Sequence, residues 1–229
     1  MKSLYAPFLI TILLSGRLLF STQCSSGPKA ETNPVVNLTE DSGMQANLIL
    51  SREAVDLRVE MRKLWDNQVV WSRQEILSMI DNVPGGSHAH QRLLQNQEDI
   101  AHIIRRYYGY DPATRVEGFL KENVNLAADV IKAIKAKDNK LMNASNRKWF
   151  VNADSIAVIL SNHNPNYGKG ELKLLLHEHL RDITEMADAR LKKDYDKDVR
   201  AYDTAHEQAL KLGDVLTEGI VHHFPEKFD

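Results

Sequence analysis

The sequence predicts an all-α protein, an up-down helical bundle of about six helices built from three helical hairpins. From residue 51 onward, apolar residues recur at spacings of three and four, as in amphipathic helices, and no stretch alternates like a strand. Proline and glycine cluster at only a few places between these stretches. Similar segments also recur at a shift of 55 to 56 residues, which is typical of stacked supersecondary units.

The first 23 residues have the pattern of a signal peptide. Lys2 precedes a mostly apolar run over residues 4–14, and Gly16 and Arg17 interrupt the apolar character after it. A membrane-spanning helix needs about 20 consecutive apolar residues, so this run favours export over permanent insertion. We therefore expect a protein of the cell envelope that faces the periplasm or the cell exterior.

Cys24, the only cysteine of the chain, follows this segment directly. Its surroundings loosely resemble a bacterial lipobox, although Gln23 stands where a small residue is usual, and they predict a lipid on Cys24 that holds the protein to a membrane. Cleavage by an ordinary signal peptidase and an uncleaved anchor are the alternative interpretations. A single cysteine forms no internal disulfide, so stability has to come from packing.

Residues 24–50 are rich in serine, glycine, proline and asparagine without a helical period, and they predict a flexible tether. Residues 51–229 then form the helical bundle domain. Without residues 1–23, the chain has 27 basic and 31 acidic residues. This acidic balance argues against a nucleic-acid partner. The predicted partner is the membrane, through the lipid on Cys24, and the sequence does not identify protein partners.

Helix boundaries follow from the turn signals. Asp111 and Pro112 predict a helix start, as N-cap and first-turn proline. The break between the fifth and sixth helices depends on the repeat alone, because residues 192–198 contain no glycine or proline. The six predicted helices span 51–82, 88–108, 113–136, 139–162, 170–192 and 196–223.

Three equivalent positions of the repeat, Gln68, Asn123 and His179, are polar residues within apolar helix faces. We expect these side chains to be largely buried. Residues equidistant from a hairpin turn lie at the same height in the two helices. Gln68 is therefore expected to face Asp99 and His102. Asn123 is expected to lie next to Asp154, and His179 next to His206. An unpaired buried polar group costs about 1 to 3 kcal/mol, so this polar layer has to bond within itself, to water or to a ligand.

A metal ion is one such ligand, because helix bundles build metal sites from inward imidazoles and carboxylates. His-x-His on a regular helix points its imidazoles about 200° apart, so His177 and His179 do not easily share one ion. A layer that satisfies its own hydrogen bonds is the competing interpretation. No phosphate-binding loop, nucleophile elbow or zinc-protease motif supports an enzyme. The candidate ligands of a transition-metal ion are His179, His206, Asp154, Asp99 and His177.

Several motifs in one order carry a resemblance to a known family. They are the segments 64–73, 92–100, 152–154, 177–180 and 219–221. With them the chain resembles a family of uncharacterised, exported bacterial helical proteins over residues 55–226. Members tend to have histidine where this chain has Gln68 and Asn123, which implies an ancestral layer of three histidines. Amides ligate metals poorly, and the family implies no established activity.

Two hypotheses about function follow from the sequence. The first is a lipid-anchored module of the cell envelope with a binding or structural role. The second is a bundle that binds a metal ion or another small ligand through its inward histidine and aspartate residues.

Overall fold

The structure, a computed structural model, describes residues 51 to 228. The predicted signal peptide, Cys24 and the tether lie outside these residues. The described part contains no strand, and the predicted all-α bundle is confirmed. Six α-helices are followed by a short 3₁₀ turn: α1 (Arg52–Asp81), α2 (Gly86–Tyr108), α3 (Tyr110–Ala136), α4 (Asn139–His163), α5 (Lys169–Leu191), α6 (Tyr195–His223) and η1 (Pro225–Lys227).

The observed helix ends lie close to the predicted ones. The largest difference is at α3, which begins at Tyr110, because the turn is made at Gly109 with a φ of 84°. Asp111 therefore lies in the first turn of α3 and is not its N-cap. The break before α6 is confirmed, since the Asp194 side chain caps this helix by accepting from the Lys197 backbone N–H at 3.0 Å.

The six helices form a closed ring of three antiparallel hairpins. Each helix packs against the next along the chain, and α6 returns to pack against α1. The first helices of the hairpins, α1, α3 and α5, also contact one another and form the inner set. Lys135 near the end of α3 donates to the Asn82 side chain just after α1 at 2.6 Å, and Arg190 of α5 bonds to Asp81 of α1. The three hairpin turns therefore share one end of the bundle, here called the turn end.

The apolar faces of all six helices meet in one core. Met61, Ile100 and Leu180 are among its fully buried side chains. Each such side chain contributes about 1.5 to 3 kcal/mol through the surface it removes from water. None of the described helices has the length and apolar character needed to cross a membrane.

A cluster of buried hydrogen bonds holds the loop between α4 and α5 against α6. Asn164 is fully buried and donates to the Tyr108 hydroxyl and to the Gly219 carbonyl, both at 2.7 Å. The Tyr167 hydroxyl donates to the Leu216 carbonyl at 2.7 Å. These hydrogen bonds join the end of the second hairpin to α2 of the first hairpin and to α6 of the third, at the end opposite the hairpin turns.

Candidate functional site

The three polar positions of the repeat meet inside the bundle. Gln68 of α1, Asn123 of α3 and His179 of α5 line one small cavity between the inner helices, here called the chamber. Gln68 and His179 are 8% and 5% exposed, and Asn123 is half-buried. The predicted convergence of the three positions is therefore present in the structure. The full lining of the chamber is Gln68, Ser72, Glu75, Leu93, Asn123, Val124, Ala127, Trp149, His179 and Ile183.

In two of the hairpins the polar residue bonds to an amide of the partner helix. Gln97 Nε2 donates to Gln68 Oε1 at 2.6 Å, and Asn123 Nδ2 donates to Asn152 Oδ1 at 2.9 Å. Both bonds join residues 29 positions apart. The same separation from His179 leads to Gln208, so the repeat extends to the partner helices.

The third hairpin differs from the other two in its hydrogen bonding. His179 Nδ1 and Gln208 Oε1 are both buried without a hydrogen-bond partner. Burial lowers the pKa of His179 to about 4, so its imidazole is neutral near pH 7. His179 is therefore the member of the layer with unused hydrogen-bonding capacity.

Glu75 lines the chamber but was missed by the sequence analysis. It is 4% exposed, and its carboxylate lies 2.7 Å from Nδ1 of His90. Burial raises the pKa of Glu75, and the hydrogen bond from His90 opposes this effect. Glu75 follows Gln68 by seven residues, or two helical turns, and this spacing was the signal that could have identified it.

The predicted metal ligands other than His179 lie outside the chamber. His177 and Asp154 are brought together, with Nε2 and Oδ1 2.7 Å apart, and Lys173 shares that carboxylate at 2.8 Å. Burial alone would raise the pKa of Asp154, but the hydrogen bonds from Lys173 and His177 outweigh it and lower this pKa. His206 pairs instead with Asp66 of α1 at 2.7 Å.

Asp99 is in a fourth place, 3.6 Å from Arg92. Each of these predicted ligands is two residues away from the amide that belongs to the layer, and therefore points about 200° away from it around the helix. The pairs are Asp99 and Gln97, Asp154 and Asn152, and His206 and Gln208. Within residues 51–228, no three histidine, cysteine, aspartate or glutamate side chains are grouped so that they could hold a metal ion. The metal site therefore stays a prediction from the sequence.

The chamber has a volume of about 10 Å³. This is about the room that one water molecule requires. An organic ligand does not fit into it, whereas sites for such ligands have volumes of about 300 to 1,000 Å³. A cavity large enough for an organic ligand lies elsewhere in the bundle.

A groove of about 730 Å³ opens between the second and third hairpins at the turn end. Its floor is apolar and consists of Ala133, Ile134, Met142, Phe150 and Leu191. Its rim carries the charged residues Lys137, Arg181, Glu185, Asp188, Lys192 and Lys197, together with Asn139, Asn146 and Thr184. The helical period does not predict this groove, because its width depends on the distance between the two hairpins.

The charges on the groove rim are only partly neutralised. Lys192 pairs with Asp188 at 2.7 Å, and Lys197 pairs with Glu185 at 3.0 Å. Lys137 and Arg181 have no carboxylate within 4.0 Å among the described residues. The Arg181 guanidinium lies 5.9 Å from the centroid of the Phe150 ring, beside the apolar floor. The groove therefore combines an apolar floor with an excess of positive charge.

The groove lies far from the point where the described chain begins. The chain enters α1 at Arg52, and this helix of 30 residues is about 45 Å long. The groove lies near the opposite end of the bundle, around the turns at 137–138 and 192–194. Residues that precede Arg52 are therefore joined to the end away from the groove.

In a comparison with known proteins, no family model, curated protein or solved structure matches this chain.

Proposed function

We propose that this protein is a membrane-tethered binding module of the cell envelope, and that the groove binds an amphiphilic molecule with an apolar body and an acidic head. The observation that carries the proposal is the groove of about 730 Å³ with its apolar floor and cationic rim. Its volume lies in the range of known small-molecule sites.

The apolar part of the ligand is assigned to the groove floor. Met142, Phe150 and Leu191 are half-buried, so the free protein keeps part of their surface in contact with water. Covering apolar surface contributes about 25 cal/mol per Å² to binding. An aliphatic chain laid along these side chains gains this contribution without requiring polar partners.

The acidic head of the ligand is assigned to Lys137 and Arg181. Neither residue has a carboxylate partner within residues 51–228, whereas Lys192 and Lys197 are already neutralised by their neighbours. A guanidinium binds carboxylates and phosphates through paired hydrogen bonds. A carboxylate or a phosphate head group is therefore preferred over an uncharged or cationic one.

Calorimetric titration of the mature chain carrying Cys24→Ser tests this proposal. Dodecanoate and dodecyl phosphate, both below their micelle concentrations, are compared with dodecyl maltoside and dodecyltrimethylammonium. We expect the anions to bind at least about tenfold more tightly, since a hydrogen bond to a charged group contributes about 1.5 to 3 kcal/mol. Comparable binding of all four would contradict the acidic head, and no binding at all would contradict the binding module.

Two substitutions locate the binding in the groove. Arg181→Gln is expected to weaken dodecanoate binding about tenfold by removing a rim charge. Lys148→Gln is the matched control, because Lys148 is exposed on α4 and does not line the groove. Equal losses in the two variants would show that binding follows total charge rather than this groove.

The membrane tether is a separate part of the proposal. Export is supported by the pattern of residues 1–23, and lipidation by the position of Cys24 directly after them. Mass spectrometry of the protein isolated from membranes is expected to show a diacylglyceryl group on Cys24. The Cys24→Ser variant is expected to leave the membrane fraction, and an unmodified Cys24 in a soluble fraction would contradict the anchor.

A further inference from the structure

Two buried nitrogen atoms at the chamber have no hydrogen-bond partner. Trp149 of α4 and His179 of α5 both line the chamber and are 1% and 5% exposed. Trp149 Nε1 and His179 Nδ1 are each buried without a partner. Native proteins pair nearly all buried polar atoms, so two such atoms at one cavity point to a bound species.

The two nitrogen atoms differ in the hydrogen bonds that they can make. An indole N–H only donates. Burial lowers the pKa of His179 to about 4, so one of its ring nitrogens has no proton near pH 7 and can accept. A species that accepts from Trp149 and donates to His179 therefore satisfies both, and water does so.

The size and the lining of the chamber agree with water. Its volume of about 10 Å³ matches one water molecule, and Ser72, Glu75 and Asn123 add polar groups to its wall. A second cavity of the same volume is lined by Trp65 and ten aliphatic side chains. Trp65 Nε1 also lacks a partner, but the side chains that line this cavity offer a water no second polar group, and a water needs two to four.

We propose that the chamber binds a single water molecule, which accepts a hydrogen bond from Trp149 Nε1 and donates one to His179 Nδ1. This water joins α4 to α5 within the polar layer to which α1 and α3 contribute Gln68 and Asn123. It gives His179 a partner on the neighbouring hairpin, whereas Gln68 and Asn123 bond to side chains within their own hairpins. This proposal does not depend on the groove or its ligand.

A high-resolution crystal structure of the protein as isolated from cells tests this proposal directly. We expect one peak of water density at about 2.7 to 3.2 Å from both nitrogen atoms. No density between them would overturn the proposal. An anomalous signal that identifies a halide or a metal ion at this place would overturn it as well.

Oxygen-17 magnetic relaxation dispersion, which counts long-lived internal waters, provides a test in solution. The variant combining Trp149→Phe and His179→Leu is expected to lose one such water. Trp65→Phe is the matched control, because it removes the indole N–H at the apolar cavity and should lose none. An unchanged count in a folded double variant would overturn the proposal. If circular dichroism shows that this variant is unfolded, the crystal structure decides.

Discussion

Gly219 shows how strongly one residue can depend on its surroundings. A Cβ atom at this position would overlap the aromatic ring of Tyr167, which is 3% exposed and hydrogen-bonded to the Leu216 carbonyl. The ring cannot turn away without breaking that bond and opening the loop that it closes. Glycine is required here because of close packing against Tyr167 and not because of backbone conformation.

We predict that Gly219→Ala lowers the free energy of unfolding by about 3 kcal/mol, which is typical of severe overpacking. Urea unfolding followed by circular dichroism measures this loss. Gly118→Ala is the control, because a Cβ there meets no atom within 4 Å. It should leave stability unchanged or raise it by about 0.5 to 1 kcal/mol, since alanine is the better helix former. Equal stabilities of the two variants would contradict the predicted clash.

His179 is expected to make stability depend on pH. Its pKa is about 4 in the folded protein because of burial, against 6.5 without burial. Between these two values the unfolded chain binds a proton that the folded chain does not. Stability therefore falls as the pH decreases from 6.5 to 4, by up to about 3 kcal/mol at 1.36 kcal/mol per pKa unit.

The variant His179→Gln isolates this contribution, because glutamine does not titrate and resembles Gln68 at the equivalent position. Burial also raises the pKa of Asp182 to about 6, which acts in the opposite direction over part of this range. We therefore compare the change between pH 7 and pH 4.5 in both proteins. A smaller loss of unfolding free energy in the variant is predicted, and equal losses would contradict a buried neutral His179.

At the scale of helices, a buried carboxylate joins three elements at the turn end. Asp198 of α6 is 1% exposed, and its two oxygens accept from Arg73 of α1 at 2.7 and 3.0 Å. Arg190 of α5 lies 3.4 Å from the same carboxylate and also bonds to Asp81. The first and third hairpins are therefore held together by ion pairs as well as by apolar packing.

We predict that Asp198→Ala destabilises the protein by about 3 kcal/mol, because removing one partner of a buried ion pair leaves the other uncompensated. Asp203→Ala is the control on the same helix, where the carboxylate is exposed and makes no ion pair within the described residues. Chemical denaturation of the two variants checks the difference. A loss below 1 kcal/mol for Asp198→Ala would show that the network does not hold the ring closed.

The helices and the convergence of the inner positions could be predicted from the sequence, because both depend on the helical period. The partners of Gln68, Asn123 and His179 could not. Hairpin symmetry gives the height of a residue along the bundle but not the direction in which it points. A shift of two residues turns a side chain by about 200°, which is why hairpin symmetry points to Asp154 although Asn152 makes the contact.

At the scale of the whole molecule, the start of α1 and the groove lie at opposite ends of the bundle. Helix α1 begins at Arg52, about 45 Å from the turn end, and the groove lies near the turn end. Under the proposed tether, the point of attachment and the groove would lie at opposite ends of the bundle. The position of the groove could not be read from helical periodicity, because it depends on the distance between two neighbouring hairpins, which the helical period does not give.

The most direct test of the binding function is to locate the ligand by methyl NMR at saturating dodecanoate. The proposal predicts chemical-shift changes at the methyl groups of Ile134, Met142 and Leu191, which lie on the groove floor. Ile156 and Leu216, which line the apolar cavity in the core, should keep their shifts. Changes at the core methyl groups with unchanged groove signals, or no change at any of these methyl groups, would contradict the assignment of the groove as the ligand site.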